Sequence, residues 1–133
     1  MTDTVNDQQS DLVLIVGENP ITREVLSRWL SADGWMVIAT DSGPKALTQA
    51  AERRPGVMLV DLDQPEAEGD ETFARLRQIP AYAPRLLALL SHAPPARRQA
   101  LRQVGVLGVF VKPIDLKSVS AFLGAPDGQE SCR

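Results

Sequence analysis

The 133-residue chain holds few of the residues that carry most recognisable chemistry: one cysteine, one histidine, one tyrosine and two tryptophans. The lone Cys132, in the polar stretch "APDGQESCR", can form no internal disulfide, which fits a reducing compartment. With His92 as the sole imidazole and no partner placed beside it, no Ser/His/Asp nucleophile set can be assembled. No apolar run approaches the roughly 18 residues of a membrane-spanning helix. The opening "MTDTVNDQQSD" has neither a basic start nor an apolar stretch, so no secretory signal is expected there and a cytoplasmic address is. The glycines form neither G-x-G-x-x-G nor a terminal GK[ST], and "GENP" at 17–20 is too short for a nucleotide fingerprint.

What is present suits one globular domain. With 44% hydrophobic and 23% charged residues, a chain of 133 residues buries roughly two-thirds of its unfolded surface and needs no staples. The net charge of −3 argues against general affinity for nucleic acid or anionic membrane. Its distribution is uneven. Between Glu71 and Asp115 lie Arg75, Arg77, Arg85, Arg97, Arg98, Arg102 and Lys112 with no acidic residue, so that segment is +7 and the remainder −10. A solvated spread of arginines is one reading, and a docking face for an acidic partner, with Arg97, Arg98 and Arg102, is the other.

Apolar runs alternate with helical patterns. "LVLIV" (12–16), "MVIAT" (36–40), "VMLVDL" (57–62), "RLLALL" (85–90) and "VLGVFV" (106–111) read as strands. Between them, helices are expected over 19–34, 42–56, 70–78, 94–105 and 115–124. The first has Asn19 as its cap, Pro20 in its first turn and an apolar stripe of Ile21, Val25, Leu26, Trp29 and Leu30. Trp29 is expected in the core and Trp35 partly exposed. The pattern predicts an α/β domain over 11–124, a doubly wound five-stranded parallel sheet with helices on both faces, flanked by disordered tails at 1–10 and 125–133.

In such sheets, ligands sit outside the carboxyl ends of the strands. Glu18 follows the first strand, Asp61 ends the third, Ser91 follows the fourth and Lys112 the fifth, so all four are candidates for one crevice. Carboxylates gathered there repel unless a cation is present, and an all-oxygen donor set suits Mg²⁺. Lys112 adds a point charge able to meet a phosphate oxygen. A carboxylate beside Mg²⁺ and lysine is equipped for phosphoryl transfer to itself.

At these residues the sequence resembles the receiver domains of bacterial two-component response regulators, over residues 11–124. "VMLVDLDQPEAEG" (57–69) resembles the family's phosphoacceptor strand and loop, "GWMVIATDSGPKAL" its second strand and following helix, and "VGVLGVFVKPID" its fifth strand with Lys-Pro. The resemblance implies a flavodoxin-like receiver fold, Asp61 as phosphoacceptor, Lys112 as the phosphate-contacting lysine and a cis bond before Pro113. It implies a metal site from Glu18, Asp61 and the backbone carbonyl of Asp63, and a histidine kinase or phosphotransfer protein as phosphodonor.

The departures from the family pattern are as informative. Gly17 stands where the first of two adjacent acids is usual, so a weakened Mg²⁺ site is expected. Counted back from Lys112, the family's Thr or Ser falls on Leu90, although a one-residue shift would bring Ser91 there. The aromatic switch position falls on Val109, with Phe110 pointing to the opposite face. Pro94 and Pro95 stiffen a loop that rearranges in the family, and His92 occupies a rim position. Asp61 with Lys112 favours a working receiver that acts on no external substrate. Gly17, Leu90 and Val109 favour a pseudo-receiver that docks proteins independently of phosphorylation. An unrelated small α/β enzyme has only the fold class in its favour.

Overall fold

The computed structural model describes residues 9–63 and 66–124. Cys132 and nearly all of the two terminal segments expected to be tails lie outside the described residues; Gln9 and Ser10, however, already belong to the first strand.

Five strands and five helices alternate: β1 (Gln9–Val16), α1 (Pro20–Ala32), β2 (Met36–Thr40), α2 (Gly43–Arg53), β3 (Pro55–Asp61), α3 (Glu66–Leu76), β4 (Arg85–Leu90), α4 (Pro95–Gln103), β5 (Val106–Val111) and α5 (Leu116–Leu123). The strands pair in parallel in the order β2-β1-β3-β4-β5, with chain order reversing beside β1. The doubly wound fold expected from the sequence is therefore present. Besides the earlier start of β1, two boundaries differ for local reasons. β3 starts at Pro55, because α2 stops one residue earlier on Arg54, whose left-handed φ of 49° turns the chain straight into the strand. α3 begins at Glu66, several residues before its apolar positions Phe73 and Leu76 declare a helix.

The two faces of the sheet build two cores, as the alternation of strand side chains requires. Leu14, Met58, Val60, Leu86 and Ala88 meet Ala46 and Ala50 of α2, Phe73 and Leu76 of α3 and Leu101 of α4. On the other face, Val13, Ile15, Leu59, Leu87 and Leu89 meet Leu26 and Leu30 of α1 and Val119 and Leu123 of α5. Each large side chain buried this way contributes about 1.5–3 kcal/mol of transfer free energy. Val109 packs toward the first core and Phe110 toward the second, the opposed facing expected of neighbours in a strand.

Three expectations for apolar residues need correction. Trp35 is 4% exposed: it belongs to the second core cluster, its amide donating back to Leu30 O at 3.0 Å and the Arg85 guanidinium lying 6.0 Å from its ring centroid. Ile21 and Val25 are 72% and 46% exposed instead of joining the core stripe. They sit in the first two turns of α1 and line a groove of about 250 Å³ with Leu26, Pro113, Ile114 and Leu116. Trp29 is half-buried, its indole N–H donating to Ser120 Oγ at 2.6 Å.

Candidate functional site

Strand register decides which residues meet at the carboxyl edge. β1 and β3 align Val16 with Val60, which sets Gly17 beside Asp61 one position further on. β3 and β4 align Asp61 with Leu89, so that Asp63 and Ser91 come level two positions later. β4 and β5 align Leu90 with Val111, and the Lys112 amide donates to Leu90 O at 2.8 Å. The bond from Lys112 to Pro113 is cis. Parallel pairing therefore gathers Gly17, Asp61, Asp63, Ser91 and Lys112 without help from a long loop.

Asp61 is a buried carboxylate, 6% exposed, at the end of a strand otherwise apolar. Its Oδ2 accepts from Lys112 Nζ at 2.8 Å and its Oδ1 from the Asp63 amide at 3.0 Å. Lys112 Nζ also donates to Asp63 Oδ2 at 2.7 Å, so one ammonium serves two carboxylates. Burial alone would lower the Lys112 pKa, but its bonds to Asp61 and Asp63 outweigh it and raise the value above that of an ordinary lysine. For Asp63, burial pushes upward, and the hydrogen bonds from Lys112 and Ser91 together overcome it and hold the carboxyl below its usual range.

The remaining residues predicted from sequence fall into two groups. Ser91 enters the cluster: its amide donates to Asp63 Oδ1 at 2.7 Å and its hydroxyl to Asp63 Oδ2 at 2.8 Å. Leu90 does not. It is 4% exposed within the first core, and Val109 packs against that same cluster, so both positions of the expected coupling pair are aliphatic and turned inward. His92 is exposed on the following loop. Pro95 opens α4 and the Pro94 carbonyl accepts the Arg98 amide, while Arg98 Nε donates to Ala93 O at 2.9 Å. Of the arginines assigned to a docking face, Arg102 is exposed, whereas Arg97 and Arg98 are half-buried.

On the side of Asp61 away from Lys112, a cavity of about 40 Å³ is lined by Gly17, Glu18, Asp41, Ser42, Asp61 and Thr72, among others. It is large enough for one to a few waters. Glu18 is exposed at its rim. Among the described residues, no three histidine, cysteine or acidic side chains are grouped so as to hold a metal ion. The carboxylates on this cavity are those of Glu18, Asp41 and Asp61, and Asp41 is already paired with Lys45 at 3.1 Å, which leaves a thin donor set for a hard cation.

Two features escaped the sequence reading. Arg23, one turn into α1, donates from Nη1 to the carbonyls of Gly17 at 2.6 Å and Glu18 at 3.0 Å, clamping the loop that carries Glu18. Its signal was the arginine four residues after the cap Asn19. The second is the joint grip of Ser91 and Lys112 on the Asp63 side chain, which follows from extending the β3–β4 register two residues past the sheet.

A doubly wound parallel sheet with a buried carboxylate and a lysine at its carboxyl edge, beside the reversal in strand order, defines a class of small α/β domains with their polar crevice at that edge. The response regulator receiver domain family matches residues 13–123, and the chain belongs to it. The polar-differentiation response regulator DivK of Brucella anthropi is 29% identical over 122 residues, covering 84% of this chain and 95% of DivK. Among solved structures, chemotaxis protein CheY4 of Vibrio cholerae superposes with a TM-score of 0.78 at 27% identity, covering 84% of this chain and 94% of that one. The receiver domain of sensor histidine kinase PA1611 from Pseudomonas aeruginosa, solved with a magnesium ion coordinated in its active site cleft, shares the fold with a TM-score of 0.74 at 23% identity, covering 87% and 94%. The chain is thus a receiver domain of the two-component type, a family of signalling modules. Among the described residues no helix is long and apolar enough to cross a membrane.

Proposed function

We propose that this receiver accepts a phosphoryl group on Asp61 from a histidine kinase or phosphotransfer protein in the cytoplasm and signals by protein contact, with atypical switching. The observation that carries the reading is the Asp61–Lys112 pair, 2.8 Å apart at the carboxyl edge of the sheet. A carboxylate oxygen of Asp61 forms the new O–P bond as the P–N bond to the donor imidazole breaks, the electron pair leaving on that nitrogen. Lys112 meets the negative charge that the transferred oxygens bring. Glu18, Asp61 and the Asp63 carbonyl are the groups that would hold Mg²⁺, which when bound neutralises charge between phosphoryl group and carboxylate. With Gly17 beside Asp61, this holding is weak. The protein has no external substrate, and its chemistry ends at Asp61 itself.

A downstream partner of acidic character fits the basic segment, chiefly through the exposed Arg102. A second reading, a docking module that works without phosphorylation, is favoured by the burial of Leu90 and the inward packing of Val109, which leave no hydroxyl–aromatic pair to transmit a phosphoryl signal.

Intact mass after incubation with acetyl phosphate, with and without Mg²⁺ and beside an Asp61→Asn control, separates the two. A Mg²⁺-dependent gain of one phosphoryl group, absent from the control, is the expected result. No gain from acetyl phosphate or from a phosphorylated phosphotransfer protein would leave the docking module.

A further inference from the structure

Three hydrogen-bond donors converge beside Asp61: the Ser91 amide, the Ser91 hydroxyl and the Lys112 ammonium. All three already serve one acceptor, the Asp63 carboxylate, at 2.7, 2.8 and 2.7 Å. A main-chain N–H, a hydroxyl and an ammonium on one side of a planar anion are the elements of an oxyanion site. Both Asp63 oxygens are engaged, Oδ1 by the amide and Oδ2 by the hydroxyl and the ammonium. The strand register places Asp63 level with Ser91, so the carboxylate reaches these donors with its backbone fixed by β3 and by the bond from its own amide to Asp61 Oδ1 at 3.0 Å.

We infer that Asp63 is the resident occupant of this oxyanion site, an internal stand-in that holds Ser91 and Lys112 in their anion-bound arrangement and competes with an incoming phosphoryl group. The inference rests on the reading of Asp61 and Lys112 as the phosphoryl site and adds what fills it beforehand. An external oxyanion must displace a carboxylate tethered two residues from Asp61, whose effective concentration far exceeds that of a free ion. Lys112 is also divided between two carboxylates, which lowers what it offers a third anion. Asp63 is thereby a specificity-determining residue. It makes the loop after β4 insensitive to phosphorylation by satisfying that loop in advance.

The test is made in an Asp61→Asn background, which removes covalent transfer and the neighbouring charge, so that its outcome is independent of whether Asp61 is phosphorylated. Inorganic phosphate is titrated into Asp61→Asn and into Asp61→Asn/Asp63→Ala, following the Ser91 amide by ¹H–¹⁵N NMR. The double variant is expected to half-saturate at a phosphate concentration at least about tenfold lower, and its Ser91 amide, shifted by loss of Asp63, to return toward its position in the single variant. Equal half-saturation in the two proteins, or no movement of Ser91 in the double variant, overturns the inference. If the alanine variant does not fold, Asp63→Asn, which keeps the shape and loses the charge, is read by the same criterion. Should the tenfold difference appear while wild-type protein and Asp63→Ala both fail to take phosphate from any donor, the inference stands and the phosphoacceptor reading of Asp61 falls.

Discussion

Gly17 and Asp61 lie side by side across the β1–β3 pairing, so close that a Cβ on Gly17 would meet the Asp61 Cβ at 3.0 Å. The position where the resemblance to the family leads one to expect an acid is therefore also one where a side chain would crowd Asp61. Placing an acid there by Gly17→Asp forces the neighbour to give by a few tenths of an ångström and sets a second carboxylate against a buried one. In the absence of cation the variant is expected to be less stable by about 1–3 kcal/mol. Its Mg²⁺ affinity is expected to rise at least about tenfold, because a third carboxylate joins Glu18 and Asp61. Thermal unfolding with and without Mg²⁺ reads both effects. A variant that loses stability but gains no Mg²⁺ response would show that the cavity beside Asp61 does not admit the ion.

Lys112 is the counter-charge for two carboxylates, one of them buried, and its removal leaves Asp61 and Asp63 facing each other. Lys112→Gln is expected to cost about 2–4 kcal/mol in urea unfolding at neutral pH, less than a fully buried pair because Lys112 and Asp63 are partly exposed. In an Asp61→Asn background the same change is expected to cost less than half as much, since the buried charge is gone. Equal costs in both backgrounds would mean that Lys112 acts through Asp63 alone.

How far the sequence disclosed the molecule depended on which interactions decide each feature. The β-α alternation and the two-faced core follow from apolar runs of strand length, and these are properties of contiguous residues. Asp61, Glu18, Ser91 and Lys112 could be placed at one edge because parallel strands share a direction. The carboxylate of Asp63 could not be aimed, because its orientation depends on Ser91, 28 residues away, and on Lys112, 49 away. Ile21 and Val25 carry the helical spacing of a core stripe, yet they face an open groove beside Pro113, Ile114 and Leu116, a placement that depends on residues about 90 positions away. Trp35 is the converse case, since a residue beside a turn glycine gives no local sign that the chain buries it.

Leu90 and Val109, the positions at which the resemblance to the family leads one to expect a hydroxyl and an aromatic ring, both pack into the first core. Leu90→Thr alone is expected to destabilise the fold by about 2–4 kcal/mol, through lost burial and a hydroxyl placed among apolar neighbours. The double change Leu90→Thr/Val109→Tyr restores the pair in composition. With Asp63 still holding Ser91, it is expected to leave the loop unresponsive. Adding Asp63→Ala is expected to release it, seen as new chemical shifts at Ser91 to Ala93 after acetyl phosphate. Loop shifts in the double variant with Asp63 intact would mean that the aliphatic pair alone had silenced the response.

At the opposite end of the sheet, Tyr82 ties the segment before β4 to the start of β3, its hydroxyl donating to Pro55 O at 2.6 Å. The side chain is 8% exposed, and burial raises its pKa well above the ordinary 10.0, against a smaller lowering by the Arg54 guanidinium. A folded-state value above the unfolded one means that the group's contribution to stability is complete below about pH 10 and is lost as pH climbs from there toward the folded value. Over that window this one phenol is expected to remove about 1.4 kcal/mol per pH unit. Tyr82→Phe has no such group. At pH 8 it is expected to be less stable than wild type by about 1–2 kcal/mol, for the lost bond and the carbonyl left behind. Between about pH 10 and 11.5 the two stabilities, measured by urea unfolding, are expected to converge and cross. A gap that stays constant with pH would show that Tyr82 ionises as easily in the folded protein as in the unfolded chain.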